Sequence, residues 1–170
     1  MRNDSKLLVL TVGGTIDKVY FDASSEYQVG EPTVPHIFSV AGVTLGYSLV
    51  PLMRKDSLEM NDDDRAKIRA TCEQAEETNI LITHGTDTMS ETAEALKDIQ
   101  GKTIVLTGAM APARFRETDA VFNIGCATGA AQSFPPGVYL AMNGRIFHAG
   151  KVRKNREAHC FEWIESTTSK

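Results

Sequence analysis

Little in this chain points to an oxidising compartment, a membrane or a nucleic acid. Three cysteines, Cys72, Cys126 and Cys160, are odd in number and widely spaced. They read as reduced thiols in a cytoplasm rather than as a disulfide framework. No Cys/His spacing suggests a zinc site, and neither a metal nor a cofactor is expected. No apolar run approaches the roughly 20 residues of a membrane span. Residues 1–6 lead straight into an apolar strand without a signal-peptide core or a small-residue cleavage site, so a cytoplasmic protein is expected. Basic charge is scarce, with 18 Lys and Arg against 22 Asp and Glu for a net charge of −4, and aromatics make up 7%. That balance argues against a nucleic-acid partner. No solenoid-type repeat is present. What remains is ordinary globular material: 170 residues, 42% hydrophobic and 24% charged. A chain of that size buries roughly 70% of its unfolded surface in a single core.

The first apolar run organises the rest. Leu7-Leu8-Val9-Leu10 reads as a buried parallel strand, continuous in Leu and Val. It stops at Thr11, and Gly13-Gly14-Thr15 follows. Residues 17–31 have no clear period and read as a long loop, an active-site lid. Residues 35–41 read as a short helix and 47–53 as a strand, which Pro51 places toward the sheet edge. Asn61 or Asp62 caps a helix reaching to about Glu77. Residues 79–83 and 103–107 read as short buried strands. Between them runs a helix to about Ile99, with Thr88 and Glu91 as a capping box. A loop follows at 109–117, then a helix over 119–132. Asn143-Gly144 is a hairpin turn joining a strand at 138–142 to one at 146–152. The composition turns polar from Arg153, and 166–170 read as a frayed tail. The alternation predicts an α/β fold: a doubly wound, mostly parallel sheet of the flavodoxin-like kind with one late antiparallel hairpin. The predicted domain covers 1–157 and a tail 158–170.

Three of these strands end in Thr with Gly within two residues: Thr11/Gly13, Thr83/Gly85 and Thr107/Gly108. Ligands of open α/β sheets lie at the carboxyl ends of the strands, so these hydroxyls are expected to converge there. Thr15 and Thr86 each follow a glycine, and Thr86 and Asp87 open a helix whose free N–H groups favour negative charge. A Thr hydroxyl needs a base to act as a nucleophile, and Tyr27, Lys154 and Asp87 are the candidates. On the residues alone, a second reading stands beside this one: Thr86 or Thr88 caps a helix and Thr15 closes a turn.

A resemblance separates the two. Thr11-Val12-Gly13-Gly14-Thr15-Ile16, Tyr27-Gln28-Val29-Gly30, Ile82-Thr83-His84-Gly85-Thr86-Asp87-Thr88-Met89, Leu106-Thr107-Gly108-Ala109-Met110 and Met142-Asn143-Gly144 resemble, in order, the blocks of the bacterial L-asparaginase/glutaminase family. The resemblance implies a hydrolase of L-asparagine in which Thr15 attacks the side-chain amide and forms an acyl-enzyme. It implies that Tyr27, in the lid before Val-Gly, takes and returns the proton; Tyr20 lacks that context. Thr86, Asp87 and Lys154 match the family's water-activating relay. Asp87 would bind the α-ammonium group, and Ser57 with backbone N–H groups the α-carboxylate. The N–H groups near Thr15 and Thr86 would receive the oxyanion, and Gly14 and Gly85 are expected among the substrate-binding residues. His84 reads as structural, and Asp119 and Asn123 as caps and packing polars. Val12 stands where many members have Thr, and Ala111 where many have Arg.

Members of the family usually carry a second, smaller domain, which supplies a neighbouring protomer with an acid supporting the lid Tyr. The usual second domain is expected to be absent here, and a homo-oligomer is expected to provide a substitute. The alternative is a non-enzymatic flavodoxin-like module that cradles a phosphate or binds an amino acid on the Thr11-to-Ile16 turn.

Overall fold

The computed structural model describes residues 6–21 and 26–164. In chain order the elements are β1 (Leu7–Gly13), β2 (Lys18–Phe21), β3 (Glu26–Val29), α1 (Val34–Val40), β4 (Tyr47–Lys55), α2 (Asp62–Gln74), β5 (Asn79–Thr83), α3 (Met89–Leu96), β6 (Thr103–Thr107), α4 (Ala120–Ser133), β7 (Gly137–Met142), β8 (Arg145–His148), β9 (Val152–Asn155) and β10 (Cys160–Trp163). The main sheet has six strands in the order β4-β1-β5-β6-β7-β8, parallel except for the β7–β8 hairpin. The parallel strands thus follow the flavodoxin-like order. The chain switches direction across the sheet between β1 and β5, and the carboxyl ends of strands at such a switch are where open α/β sheets bind ligands.

The continuous apolar strands work because both faces of the sheet are covered. Leu8, Leu10, Ile80, Ile82, Ile104 and Leu106 pack with Ile68 and Cys72 of α2 and Met89, Ala93 and Leu96 of α3. Leu7, Val9, Leu81 and Val105 point the other way, onto Val34, Ile37 and Phe38 of α1 and the alanines of α4. Each of these fully buried aliphatic side chains stabilises the fold by about 1.5–3 kcal/mol relative to exposure. The doubly wound reading holds. Pro51 does sit on an edge strand, β4. Asn143 and Gly144 both have positive φ, 53° and 71°, as a two-residue hairpin turn requires.

Several expectations are corrected. The lid is not irregular: β2 and β3 form a two-stranded antiparallel hairpin with Tyr20 opposite Tyr27. The strand after the Asn-Gly turn ends at His148, and Val152 begins a separate strand. That strand, β9, pairs with Cys160–Trp163, a stretch placed by the sequence reading in a tail beyond 157. Phe161 is buried in the core beside Val152, so the packed domain extends through β10. The expected fraying at 166–170 lies outside the described residues. Thr88 makes no capping bond; its hydroxyl instead donates to the Ser57 carbonyl at 2.8 Å. The capping box belongs to α2, between Asn61 and Asp64. Asp119 also leaves its own helix uncapped and accepts the N–H groups of Met110 and Ala111, fixing the loop after β6.

Candidate active site

The three strand-end threonines stand in register, Thr11 beside Thr83 and Thr83 beside Thr107. All three are buried, and the Thr107 hydroxyl donates to the Ala141 carbonyl at 2.7 Å. Their side chains therefore stand side by side on one face of the sheet, shielded from solvent, with the Thr83 hydroxyl buried and, among the described residues, unpartnered.

Gly13 and Gly14 turn the chain with φ of 105° and 90°, a region that side chains rarely adopt. Gly14 lies against the second loop: a Cβ on it would come within 2.4 Å of the Gly85 nitrogen. Its own N–H is taken by the Lys55 carbonyl at 3.0 Å, so what Gly14 supplies is room. Gly85 is equally confined, since a Cβ there would approach Ser57 Oγ to 2.5 Å. The loops carrying Thr15, Thr86 and Ser57 are thus packed backbone to backbone at the switch point.

His84 sets the orientation of the second loop. Its Nδ1 lies 2.7 Å from the Gly85 carbonyl, and its Nε2 lies 2.8 Å from Thr92 Oγ1. A carbonyl can only accept, so Nδ1 carries the proton and Nε2 accepts from the Thr92 hydroxyl. Burial pushes the imidazole down to about 4, keeping it neutral. With the Gly85 carbonyl turned back onto its own loop, the Thr86 N–H of the same trans peptide points the opposite way. The structural role expected for His84 is what the geometry gives it.

Thr15 is half-buried at the start of a one-turn 3₁₀ segment, Thr15–Asp17. It lines a cleft of about 300 Å³ with Lys18, Tyr27, Pro112 and Phe115. Tyr27 stacks edge-on against Tyr20 and Phe115, with centroids 5.4 and 6.1 Å away. An adjoining cleft of about 380 Å³ shares Lys18 and Tyr27 and adds Gln28, Val29, Arg54, Asp56 and Glu59. Lys18 Nζ donates to Asp56 Oδ2 at 2.7 Å, bridging the lid hairpin to the Ser57 turn. Burial pushes the Asp56 carboxyl up, but the hydrogen bonds from Lys18 and the Leu58 N–H outweigh it and hold the group below its ordinary range. Ser57 itself is buried beneath the Gly85 backbone.

On the other side of Gly85, Lys154 Nζ donates to Thr86 Oγ1 at 2.7 Å and to Asp87 Oδ1 at 2.9 Å. Arg156 Nε stands 3.5 Å from the same Asp87 oxygen. The ammonium is largely shielded, its side chain 14% exposed. β9 delivers it, and the β9–β10 hairpin is anchored to the body by Phe161, whose N–H donates to Asn143 Oδ1 at 2.8 Å. The structure therefore brings Thr15 and Tyr27 to one cleft, joins Thr86, Asp87 and Lys154 in one network, and packs Gly14, Gly85 and Ser57 between them. Lys18, Phe115 and Arg156 escaped the sequence reading. Lys18 and Phe115 sit in stretches read as loop, and Arg156 in one read as a polar end. Paired β-formers at Val19-Tyr20-Phe21 and Tyr27-Gln28-Val29 were the available sign of the lid hairpin.

A family model described as "Asparaginase, N-terminal" matches residues 6–168. The chain belongs to the asparaginase family. It is 34% identical over 166 residues to a probable periplasmic L-asparaginase of Haemophilus influenzae, covering 87% of this chain and 46% of that protein. The thermostable L-asparaginase from Thermococcus kodakarensis superposes with a TM-score of 0.80 at 28% identity, covering 94% of this chain and 51% of that one. A probable cytoplasmic L-asparaginase from Campylobacter jejuni gives a TM-score of 0.75 at 25% identity, with 94% and 51% covered. The chain thus spans about half the length of these relatives. Among the described residues no cluster of side chains suited to a metal ion occurs, and no helix is long and apolar enough to cross a membrane.

Proposed function

We propose that this asparaginase-family chain is an L-asparaginase, an amidohydrolase that converts L-asparagine to L-aspartate and ammonia through a threonyl acyl-enzyme. The observation that carries the reading is the Lys154 contact with both Thr86 and Asp87, made by residues 68 and 67 positions apart in sequence. A shielded lysine shared between a hydroxyl and a carboxylate is the arrangement a proton relay needs.

In this reading Asp87 holds the α-ammonium of asparagine, and Ser57 with nearby backbone N–H groups holds the α-carboxylate. Thr15 Oγ attacks the side-chain amide carbon. The hydroxyl proton passes through Tyr27 to the amide nitrogen, which leaves as ammonia. Charge on the tetrahedral oxygen is received by backbone N–H groups of the Thr15 and Thr86 loops. Water then attacks the Thr15 ester, oriented by Thr86, Lys154 and Asp87, and the proton returns to Thr15. Glutamine fits as a minor substrate, since one methylene is worth only about 1–3 kcal/mol of discrimination. We assign the protein to the cytoplasm, in keeping with three free thiols. Exposed Tyr20, Phe21, Tyr27 and Phe115 leave an aromatic surface beside the cleft, which supports a homo-oligomer. A solution mass of one 18.6 kDa chain at full activity would contradict that assembly.

Ammonia release from asparagine tests the reaction. The wild-type protein is expected to release it, and Thr15→Ala to lose it by a factor of about 10⁴ or more. Unchanged release by Thr15→Ala would remove Thr15 as the nucleophile.

A further inference from the structure

Asp17 is a buried acid that the reaction above leaves without a task. It is 2% exposed. Burial pushes its carboxyl above the ordinary range, against the pull of its hydrogen bonds from Thr33 and of the Arg114 and Arg54 charges. Such burial is costly and persists where the contacts it allows are needed.

Those contacts connect two things. On one side, Asp17 closes the 3₁₀ turn that begins with Thr15, and its N–H donates to the Gly14 carbonyl at 3.2 Å. On the other, its carbonyl accepts the Gly30 N–H at 2.8 Å, at the exit of the lid hairpin. Its Oδ1 accepts the Thr33 N–H at 2.8 Å and the Thr33 hydroxyl at 2.7 Å, three residues further on. The two lid strands β2 and β3, with Tyr27 in the second, lie in sequence between these ties. One side chain therefore fastens the returning end of the lid to the turn that carries Thr15.

We infer that Asp17 is a positioning residue: it locks the closing end of the lid hairpin onto the Thr15 turn and so sets where Tyr27 stands relative to the Thr15 hydroxyl. The inference rests on the asparaginase reading for the roles of Tyr27 and Thr15. The competing role is confined to α1, because Thr33 is also the residue that opens that helix. An anchor for α1 alone leaves the lid and the turnover number untouched. A loosened lid lowers kcat, since displacing a reacting group by 1 Å can cost a factor of about 100.

Three variants separate these roles: Asp17→Ala removes the acceptor, Asp17→Asn keeps an oxygen in its place, and Thr33→Val removes one donor. Hydrogen exchange is followed at the amides of residues 26–30 and 34–40, and ammonia release from asparagine is measured beside it. Asp17→Ala and Thr33→Val are expected to speed exchange at 26–30 by about tenfold or more, with Asp17→Asn close to wild type. kcat is expected to fall about 10- to 100-fold in Asp17→Ala, with KM changed by less than about threefold, and to be restored in Asp17→Asn. Faster exchange confined to 34–40, or a loosened lid with kcat unchanged, would overturn the inference. If Asp17→Ala does not fold, Thr33→Val against Asp17→Asn gives the same decision. A wild-type protein that releases no ammonia would overturn the asparaginase reading, and the exchange data would then decide the anchoring by itself.

Discussion

The strand-end loops and the lid hairpin meet at Thr15, yet they are held by different forces. The loops after β1 and β5 are fixed by backbone contact. Gly14 touches Gly85, Gly85 touches Ser57, and His84 pins the Gly85 carbonyl from beneath. The lid is a two-stranded ribbon with Tyr20, Phe21 and Tyr27 exposed. A lone hairpin is marginal in water, so this one depends on its polar ties: Asp17 to Thr33, Lys18 to Asp56, and Arg54 to Glu31. In the proposed reaction Thr15 and Thr86 sit on the loops fixed by backbone contact, Lys154 reaches Thr86 from β9, and Tyr27 sits on the ribbon. If that reading holds, the division would keep the geometry of the reacting groups while still admitting a substrate.

The largest effect should come from breaking the stiff part. Gly85→Ala drives a methyl group to 2.5 Å from Ser57 Oγ. A loss of about 2–4 kcal/mol in urea unfolding is expected, with ammonia release reduced about 100-fold or more. Near-normal stability and activity would show that the loops can separate. His84 gives a smaller effect of known sign. Its imidazole stays neutral in the fold down to about 4, whereas the unfolded chain binds a proton near 6.5. Stability is therefore complete above 6.5 and declines as the pH falls toward 4, by on the order of 3 kcal/mol from this group. His84→Gln should flatten that part of the stability profile, and an unaltered slope would contradict the neutral, pinned histidine. The smallest effect belongs to the lid. Lys18 and Asp56 are 26% and 31% exposed. Lys18→Met is expected to cost less than about 1 kcal/mol and to affect KM more than unfolding. The Asp56 carboxyl is held below its ordinary value, so what the pair contributes is present above that ordinary value and is lost as pH falls through the lowered one. Denaturation of wild type and Lys18→Met at pH 7 and pH 3 measures this.

The stiff part was also the part legible from sequence. Asn79–Thr83 and Thr103–Thr107 fall where the apolar runs place them, because strands buried on both faces carry an uninterrupted signal. Asn143-Gly144 marked its turn for the same local reason. The two small hairpins leave a much weaker signal. In β2 and β3 most side chains are at least partly exposed on both faces, so no period of two survives. In β9 and β10, Arg153, Lys154, Asn155 and Glu162 mask the inward Val152 and Phe161. Lys154 in particular looks like a surface lysine within Lys151-Val152-Arg153-Lys154, and only the family resemblance raises it above the other candidate bases. Thr88 was read as a cap because its partner, the Ser57 carbonyl, lies 31 residues away and leaves no local trace.

A crystal structure with L-aspartate bound tests the central claim most directly. The account predicts the side-chain carboxylate of aspartate within hydrogen-bond reach of both Thr15 Oγ1 and Thr86 Oγ1, with its ammonium group on Asp87. An aspartate that touches one threonine while the other faces away, or that binds outside the crevice between β1 and β5, would contradict it.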